Sequence, residues 1–268
     1  MVKKITVGDI VMKYLVFGEG SETLVILPGL SIRPVTDQAE AVMTSYARFT
    51  ARYTVYLFDR RLNLPQGYDI RQAAADTAEV MMALGLGEAD VFGTSQGGMM
   101  AQYLAIDHPQ LVRRLILGST LSRFPEETEK AGDAWLALAR AGRKQALAAA
   151  MVDRMCSERM LSLYRQVLID ASAGCSDEEL ARFIIMYQAS SHLNTYDELG
   201  RITCPVLMIS SKGDKIIPLK STLEMADRLG CQLILYDESY GHAVYDEAAD
   251  YKDHMEAFLN QPLPGFHQ

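Results

Sequence analysis

The sequence predicts an α/β protein with a mostly parallel central sheet, helices on both faces of the sheet, and an inserted helical cap. Strand-like apolar runs alternate with helical runs at both ends of the chain, as in parallel sheets covered by helices. Between them, residues 121–200 contain no strand-like run and are rich in good helix formers. We therefore predict a core formed by residues 1–120 and 201–268, with residues 121–200 as the cap. A chain of 268 residues is long enough for this arrangement.

Six strands and two helices are predicted before the cap. The first two strands form a hairpin, because Gly8-Asp9 between them is a typical turn pair. Residues 23–27 are almost continuously apolar, which favours a strand covered on both faces. Asp69 and Gly85 flank the first helix as typical caps. The predicted strands are residues 5–7, 10–17, 23–27, 53–58, 89–92 and 112–117, and the predicted helices are residues 70–84 and 97–106.

The cap is expected to hold at least three helices. Ser176 followed by Glu179 has the spacing of a capping box, which marks a helix start. Gly132 and Gly142 are points where the first cap helix can break. The predicted cap helices are residues 126–155, 158–171 and 177–192. After the cap, strands are predicted at residues 206–210 and 232–236, and helices at residues 219–229 and 247–259.

Charge and composition exclude several classes of partner. The formal net charge is −8, from 26 Lys and Arg against 34 Asp and Glu. Nucleic acids and anionic membranes require a basic face, so we expect neither as a partner. No apolar run reaches the roughly 18 residues of a membrane-spanning helix, and polar residues interrupt the N-terminus where a signal peptide would be apolar. The 4 cysteines form no C-x-x-C pair. We therefore expect free thiols in a cytoplasmic protein, monomeric or homodimeric.

A G-x-S-x-G pentapeptide is the strongest chemical signal. Gly93-Thr94-Ser95-Gln96-Gly97 follows a predicted strand and opens a predicted helix, which is the setting of a nucleophile elbow. The turn is tight, and glycines on both sides leave room for Ser95 to stand clear of the strand. The alternative interpretation is a glycine-rich turn that only packs.

A serine nucleophile needs a base and an acid that orients the base. Among the 5 histidines, His242 lies in the loop between the last strand and the last helix, where strand-end loops converge on the elbow. Asp214 follows the preceding strand and completes the chain order Ser95, Asp214, His242. Asp237 and Glu238 are the rival acids. The alternatives are a surface-loop histidine and a turn aspartate.

The chemistry also needs two donors for an oxyanion. One is the backbone N–H of Gln96, directly after the nucleophile. The other comes from the loop after residues 23–27, where we favour the N–H of Leu30 over that of Ser31.

These motifs resemble the α/β-hydrolase superfamily, in its capped branch of serine hydrolases. The resemblance covers nearly the whole chain and rests on Pro28-Gly29, the Gly93–Gly97 elbow, Asp214-Lys215-Ile216-Ile217-Pro218 and Gly241-His242. Two segments depart from the family pattern. Pro28-Gly29 stands where members often have His-Gly, and the stretch from Asp59-Arg60-Arg61 to Pro65 lacks the glycines of D-x-R-G-x-G.

The resemblance implies hydrolysis of small to medium carboxylic esters, or of lactones or thioesters, through an acyl-enzyme on Ser95. The serine argues against the dehalogenases and epoxide hydrolases of the superfamily, which use an aspartate at the elbow. The same three residues also suit acyl transfer, C–C bond hydrolysis or perhydrolysis, and a ligand receptor without turnover is a further alternative. No metal or nucleotide motif occurs, so we expect no cofactor.

The cap is expected to line the pocket for a small-molecule substrate with an apolar acyl or alcohol part. The candidate substrate-binding residues are Trp135, Met151, Met155 and Tyr164. Packing between the cap helices is an equally good explanation for each of them. Arg33 is a candidate for a substrate carboxylate, although a surface arginine is the simpler interpretation.

Overall fold

The computed structural model describes residues 1–263, without the side chains of residues 126–132. Over these residues the chain forms one eight-stranded sheet and ten α-helices. The strands are β1 (Val2–Val7), β2 (Ile10–Phe17), β3 (Glu22–Leu27), β4 (Tyr53–Arg61), β5 (Ala89–Thr94), β6 (Val112–Gly118), β7 (Val206–Ser211) and β8 (Gln232–Tyr236). The helices are α1 (Ala39–Ser45), α2 (Ile70–Ala83), α3 (Gln96–Asp107), α4 (Glu126–Arg140), α5 (Lys144–Met155), α6 (Glu158–Ala173), α7 (Asp177–Ala189), α8 (Leu219–Leu229), α9 (Val244–Glu247) and α10 (Tyr251–Leu259).

The sheet is mostly parallel, as predicted. Its strand order is β1-β2-β4-β3-β5-β6-β7-β8. The hairpin β1–β2 and the pair β2–β4 are antiparallel, and every other neighbouring pair of these strands is parallel. The predicted hairpin turn is confirmed at Gly8, whose φ of 56° suits a residue without a Cβ.

Helices cover both faces of the sheet, and β3 shows how the two layers arise. Alternate residues of a strand point to opposite faces. Accordingly, Val25 packs into the core beneath α2, α3 and α8, while Leu24 packs into the core beneath α9 and α10. Both side chains are completely buried. The continuous apolar run predicted a strand buried on both faces, and the structure confirms it.

Residues 121–200 lie between β6 and β7, which are neighbours in the sheet. They contain α4 to α7, and the break between α4 and α5 falls at Gly142, with a φ of 67°. The predicted capping box is present: Ser176 Oγ accepts from Glu179 N at 3.1 Å, and Glu179 Oε2 accepts from Ser176 N at 2.7 Å. The segment leaves and re-enters the core at one point, where the Thr195 amide donates to the Ser122 carbonyl at 2.8 Å.

Three elements differ from the sequence prediction. Residues 35–49 form α1 and two short 3₁₀ helices, which are too short for periodicity to reveal. The last helix, predicted over residues 247–259, begins only at Tyr251 as α10, because the extended backbone of Ala248 (φ −85°, ψ 121°) separates it from the short helix α9. Strand β4 continues to Arg61 because Arg61 still pairs with Met12 beyond an irregularity in β2. Across the described part of the chain, none of the helices combines the length and apolar character needed to cross a membrane.

Candidate active site

The sheet topology brings two loops together at the carboxyl ends of β3 and β5. These strands are neighbours in which Leu27 pairs with Gly93, although β4 separates them in sequence. Such a reversal of strand order opens a crevice at the carboxyl edge of a parallel sheet. The loop after β3 therefore leaves the sheet beside the serine that follows β5.

Ser95 occupies a strained turn between β5 and α3. Its backbone has φ 50° and ψ −121°, a conformation that costs a non-glycine residue about 1–3 kcal/mol. Its amide donates to the Gly118 carbonyl at 2.8 Å, and its carbonyl accepts from Thr120 Oγ1 at 2.8 Å. These contacts with the end of β6 hold the strained conformation and keep the side chain at the floor of a cavity.

Glycines flank Ser95 because there is no room for a side chain. A Cβ at Gly97 would lie 1.9 Å from the Leu27 carbonyl oxygen, and a Cβ at Gly93 would lie 2.5 Å from the Gly97 carbonyl oxygen. On the other side, a Cβ at Gly29 would lie 3.3 Å from Ser95 Cβ. The glycines of the pentapeptide thus allow β3, the elbow and α3 to meet closely.

His242 and Asp214 form a buried pair at the ends of β8 and β7. Asp214 Oδ2 lies 2.8 Å from His242 Nδ1, and the side chains are 0% and 2% exposed, respectively. Asp214 Oδ1 accepts from the amides of Ile216 and Ile217 at 2.7 and 2.8 Å. A carboxylate partner requires the proton on Nδ1, which leaves Nε2 of His242 as an acceptor.

The rival acids lie elsewhere. Asp237 and Glu238 are both exposed. Asp237 Oδ1 accepts from the amide and hydroxyl of Ser239, and these hydrogen bonds lower the pKa of the Asp237 carboxyl. Glu238 lies 3.9 Å from Lys212 at the surface. The structure pairs the histidine with Asp214.

The two residues predicted to supply oxyanion donors, Leu30 and Gln96, line the same cavity as Ser95. Gln96 is the first residue of α3, so its amide has no carbonyl partner within the helix. Leu30 lines the same cavity as Ser95 and His242. Ser31, the alternative donor, lines a separate small cavity behind the loop, and its hydroxyl donates to the Arg33 carbonyl.

A buried arginine connects these two donor segments. Arg60 Nε donates to Gln96 Oε1 at 3.2 Å, and Arg60 Nη2 donates to the Pro28 carbonyl at 2.6 Å. Burial lowers the pKa of the Arg60 guanidinium to about 10. Gln96 Nε2 in turn donates to the Met186 carbonyl and to Ser190 Oγ, each at 2.7 Å. One chain of hydrogen bonds thus runs from α7 to the loop after β3.

The cavity above Ser95 has a volume of about 470 Å³. Three of the predicted cap residues line it, namely Trp135, Met151 and Met155. Tyr164 does not, because α6 directs its side chain to solvent, where it is 51% exposed. Arg33 lies outside this cavity as well and lines the small one behind the oxyanion loop.

The cavity wall also contains polar side chains that were not predicted from sequence. They are Asp133, Arg154, Gln188, Ser190, Ser191, His192 and Tyr245. Residues 188–192 are mostly polar and lie at the end of a predicted helix, and this is the sequence feature that could have indicated a polar pocket wall. Over the part of the chain described, no group of three or more His, Cys, Asp or Glu side chains is placed to hold a metal ion.

The end of α5 and the start of α6 also contact the residues that follow His242. The Ala243 amide donates to the Met155 carbonyl at 2.9 Å, and the Ser157 amide donates to Glu247 Oε1 at 2.9 Å. The C-terminal end of α5 and the start of α6 are thereby held against the residues that follow His242.

Comparison with known proteins identifies relatives over almost the whole chain. The family model of the alpha/beta hydrolase fold matches residues 37–154, and that of the TAP-like proteins matches residues 168–264. The chain is 22% identical over 259 residues to 3-oxoadipate enol-lactonase 2 of Acinetobacter baylyi, covering 90% of this chain and 94% of the relative.

Solved structures with the same fold superimpose on nearly the whole chain. An enol-lactonase from Burkholderia xenovorans LB400 superimposes with a TM-score of 0.83 at 22% identity, over 97% of this chain and 100% of the other. MGS-M2, an alpha/beta hydrolase enzyme from a Medee basin deep-sea metagenome library, gives a TM-score of 0.87 at 19% identity, over 97% and 98% of the two chains. The chain therefore has the α/β-hydrolase fold and resembles the α/β-hydrolase superfamily over most of its length.

Proposed function

We propose that this protein hydrolyses small to medium carboxylic esters or lactones through an acyl-enzyme on Ser95. The observation that carries the proposal is the buried pair of His242 and Asp214, with Nδ1 and Oδ2 2.8 Å apart, at the edge of the cavity that also contains Ser95. A base oriented in this way and a serine held in a strained turn are the parts that acyl transfer to serine requires.

In the proposed reaction, Ser95 Oγ attacks the substrate carbonyl carbon while His242 Nε2 takes the hydroxyl proton. The carbonyl oxygen becomes an oxyanion, stabilised by the amides of Leu30 and Gln96. His242 then protonates the leaving alkoxide as the tetrahedral intermediate collapses. Water enters, gives a proton to His242 and attacks the acyl-enzyme, which releases the carboxylic acid and restores the Ser95 hydroxyl.

The cavity limits the size and character of the substrate. Its volume of about 470 Å³ lies in the range of small-molecule sites. Trp135, Met151 and Met155 offer an apolar wall for an acyl or alcohol part. The similarity to enol-lactonases supports lactones beside open-chain esters as substrates.

A panel of p-nitrophenyl esters of increasing acyl length, together with simple lactones, tests the proposal. We expect turnover of short and medium substrates, and labelling of the protein by a fluorophosphonate probe. Ser95→Ala should lower kcat on the order of 10⁴-fold or more and abolish labelling. Ser162→Ala, an exposed serine on α6, is the matched control and should keep both.

Two results would overturn the proposal. Labelling that persists in Ser95→Ala would place the nucleophile elsewhere. Binding of esters and lactones without any turnover by the folded wild-type protein would indicate a receptor on the same fold.

A further inference from the structure

A second, smaller cavity lies behind the oxyanion loop. Its volume is about 20 Å³, and Gly29, Leu30 and Gln96 separate it from the large cavity by lining both. Three arginines contribute to its wall, namely Arg33, Arg60 and Arg182. They come from the loop after β3, the end of β4 and helix α7, so the fold collects them from distant parts of the sequence.

Each of the three guanidinium groups leaves one buried donor unused. Among the side chains that the structure describes, Arg33 Nε, Arg60 Nη1 and Arg182 Nε are buried without a hydrogen-bond partner. Arg60 as a residue is only 8% exposed. An unpaired buried donor on a charged group is costly, and three around one cavity point to a missing acceptor.

Other nitrogens of the same three arginines donate to groups of the protein. The remaining nitrogens of Arg60 are bound as described above. Arg182 Nη2 donates to the carbonyls of Arg60 and Arg61, each at 3.2 Å, and Arg33 Nη1 donates to the Ala171 carbonyl at 3.2 Å. These hydrogen bonds restrict the three guanidinium groups, so the arginines line the cavity as parts of a preformed wall.

Charge at the cavity is also unbalanced. Asp59 is the one carboxylate among the described lining residues, against three arginines. Its oxygens already accept from the amide and hydroxyl of Thr36 at 2.9 and 2.6 Å, and from the Val35 amide at 3.3 Å. Outside the lining, Arg33 lies 3.4 Å from Asp37 near the surface, and the charge of Glu179 also acts on Arg182. Burial lowers the pKa of the guanidinium groups of Arg60 and Arg182, as expected for under-compensated cations.

We propose that this cavity binds one small monovalent anion of halide size, held by the N–H groups of Arg33, Arg60 and Arg182. The volume admits a single particle about as large as a water molecule. A water molecule accepts two hydrogen bonds and needs acceptors for its own two protons. A halide accepts all three donors and supplies the missing negative charge, so the chemistry of the wall favours the anion.

Crystals grown in sodium bromide test the proposal directly. Diffraction data collected at the bromine absorption edge should show an anomalous peak between the three guanidinium groups. In solution, chloride should raise the melting temperature by about 2–4 °C at about five times its Kd and further with the logarithm of its concentration, with gluconate used to keep the ionic strength constant.

Substitutions separate this site from general salt effects. Arg182→Met should lose both the bromide peak and the chloride-dependent shift, and Arg33→Met should weaken both. Arg61→Met is the matched control, because Arg61 is a buried arginine beside Arg60 on the same strand whose guanidinium binds Asp9 and the Asn63 carbonyl instead. It should retain both signals.

Three outcomes would overturn the proposal. The first is ordered water without anomalous signal in the cavity of the bromide crystals. The second is a melting temperature that does not respond to chloride. The third is a chloride response that survives unchanged in Arg182→Met.

Discussion

The carbonyl oxygen of Met155 accepts a hydrogen bond from the amide of Ala243 at 2.9 Å, directly beside His242. Met155 is the last residue of α5 and also lines the large cavity. The same backbone contact therefore helps to position the proposed base and one wall of the pocket. A change in the position of α5 should alter both the chemistry and the shape of the site.

Gly241→Ala tests this contact. A Cβ at residue 241 would lie 2.7 Å from the Met155 carbonyl oxygen and 2.8 Å from the Cys156 carbonyl carbon, so the two segments must separate. We expect kcat for ester hydrolysis to fall by about tenfold or more with a smaller change in KM, because misplacement of a catalytic group by about 1 Å is costly. Gly200→Ala is the control, since a Cβ there meets nothing within 4 Å. An unchanged kcat in Gly241→Ala would show that the contact does not position His242.

Asp214→Asn tests the acid. Asparagine has nearly the same shape, but its amide can donate to Nδ1 and hold the wrong histidine tautomer. In a comparable triad this change costs on the order of 10⁴ in kcat. We expect a fall of roughly three to four decades, about 4–5.5 kcal/mol, with little change in KM. Asp237→Asn should cost about tenfold at most, because that side chain is exposed. The reverse order of kcat values would mean that the acid is misassigned.

Gln96→Met tests the hydrogen-bond chain between α7 and the loop after β3. The substitution keeps the backbone N–H of residue 96 but removes the bonds to Arg60, Met186 and Ser190. We expect kcat to fall by about 10- to 100-fold while KM changes little. The unpaired Arg60 Nε should also destabilise the protein by about 1–3 kcal/mol.

Gln102→Met provides the matched control for this variant. Gln102 lies on the same helix, is completely buried, and its side chain binds the Gly98 and Leu121 carbonyls and the Thr195 hydroxyl. It should lose a similar amount of stability and keep its kcat. The free energy of unfolding of both variants is measured with urea. If kcat falls equally in the two variants, the effect of Gln96→Met on kcat results from lost stability and not from the hydrogen-bond chain.

The cap should determine acyl preference through Trp135. This side chain is only 9% exposed, lines the cavity and lies edge-on to Tyr187 with ring centroids 6.5 Å apart. Trp135→Leu should shift the ratio of kcat/KM for long against short esters by about 1–3 kcal/mol for each acyl methylene that the enlarged pocket newly buries. Leu163→Ala, an exposed residue of α6, should leave the ratio unchanged. An unaltered preference in the Trp135 variant would refute the assigned role.

Local signals predicted the elements that carry Ser95, Asp214 and His242. The glycines around Ser95 indicate a turn with no room for a Cβ, and the apolar run before Pro28 indicates a buried strand. Both are properties of a few adjacent residues. The convergence of strand-end loops on the elbow followed from the general behaviour of parallel sheets, whereas the pairing of β3 with β5 was not predicted.

Tertiary packing determines the exposure of Tyr164 and the burial of Arg60, neither of which the sequence indicates. Tyr164 lies on a helix whose exposed side also carries Leu163 and Val167, so hydrophobicity alone pointed to the wrong face. Arg60 is a charged residue at a strand end, and the sequence contains no sign of its burial. Its environment results from contacts with residues 28, 96 and 182, which are far apart along the chain.

The joint formed by Ser122 and Thr195 has a consequence for protein engineering. Their backbones are bonded at 2.8 Å, and Arg123 and Asn194 form an isolated β-bridge beside them. The two ends of the intervening segment are thus hydrogen-bonded to each other at the edge of the core. Because the entropy of loop closure depends only weakly on loop length, changes in the length of this segment should cost little stability. Residues 123–194 form a natural cassette for shuffling between homologous scaffolds. A successful graft must also reproduce the hydrogen bond between Met155 and Ala243. The segment should therefore be taken from proteins whose helix at this position fits the histidine loop of the recipient.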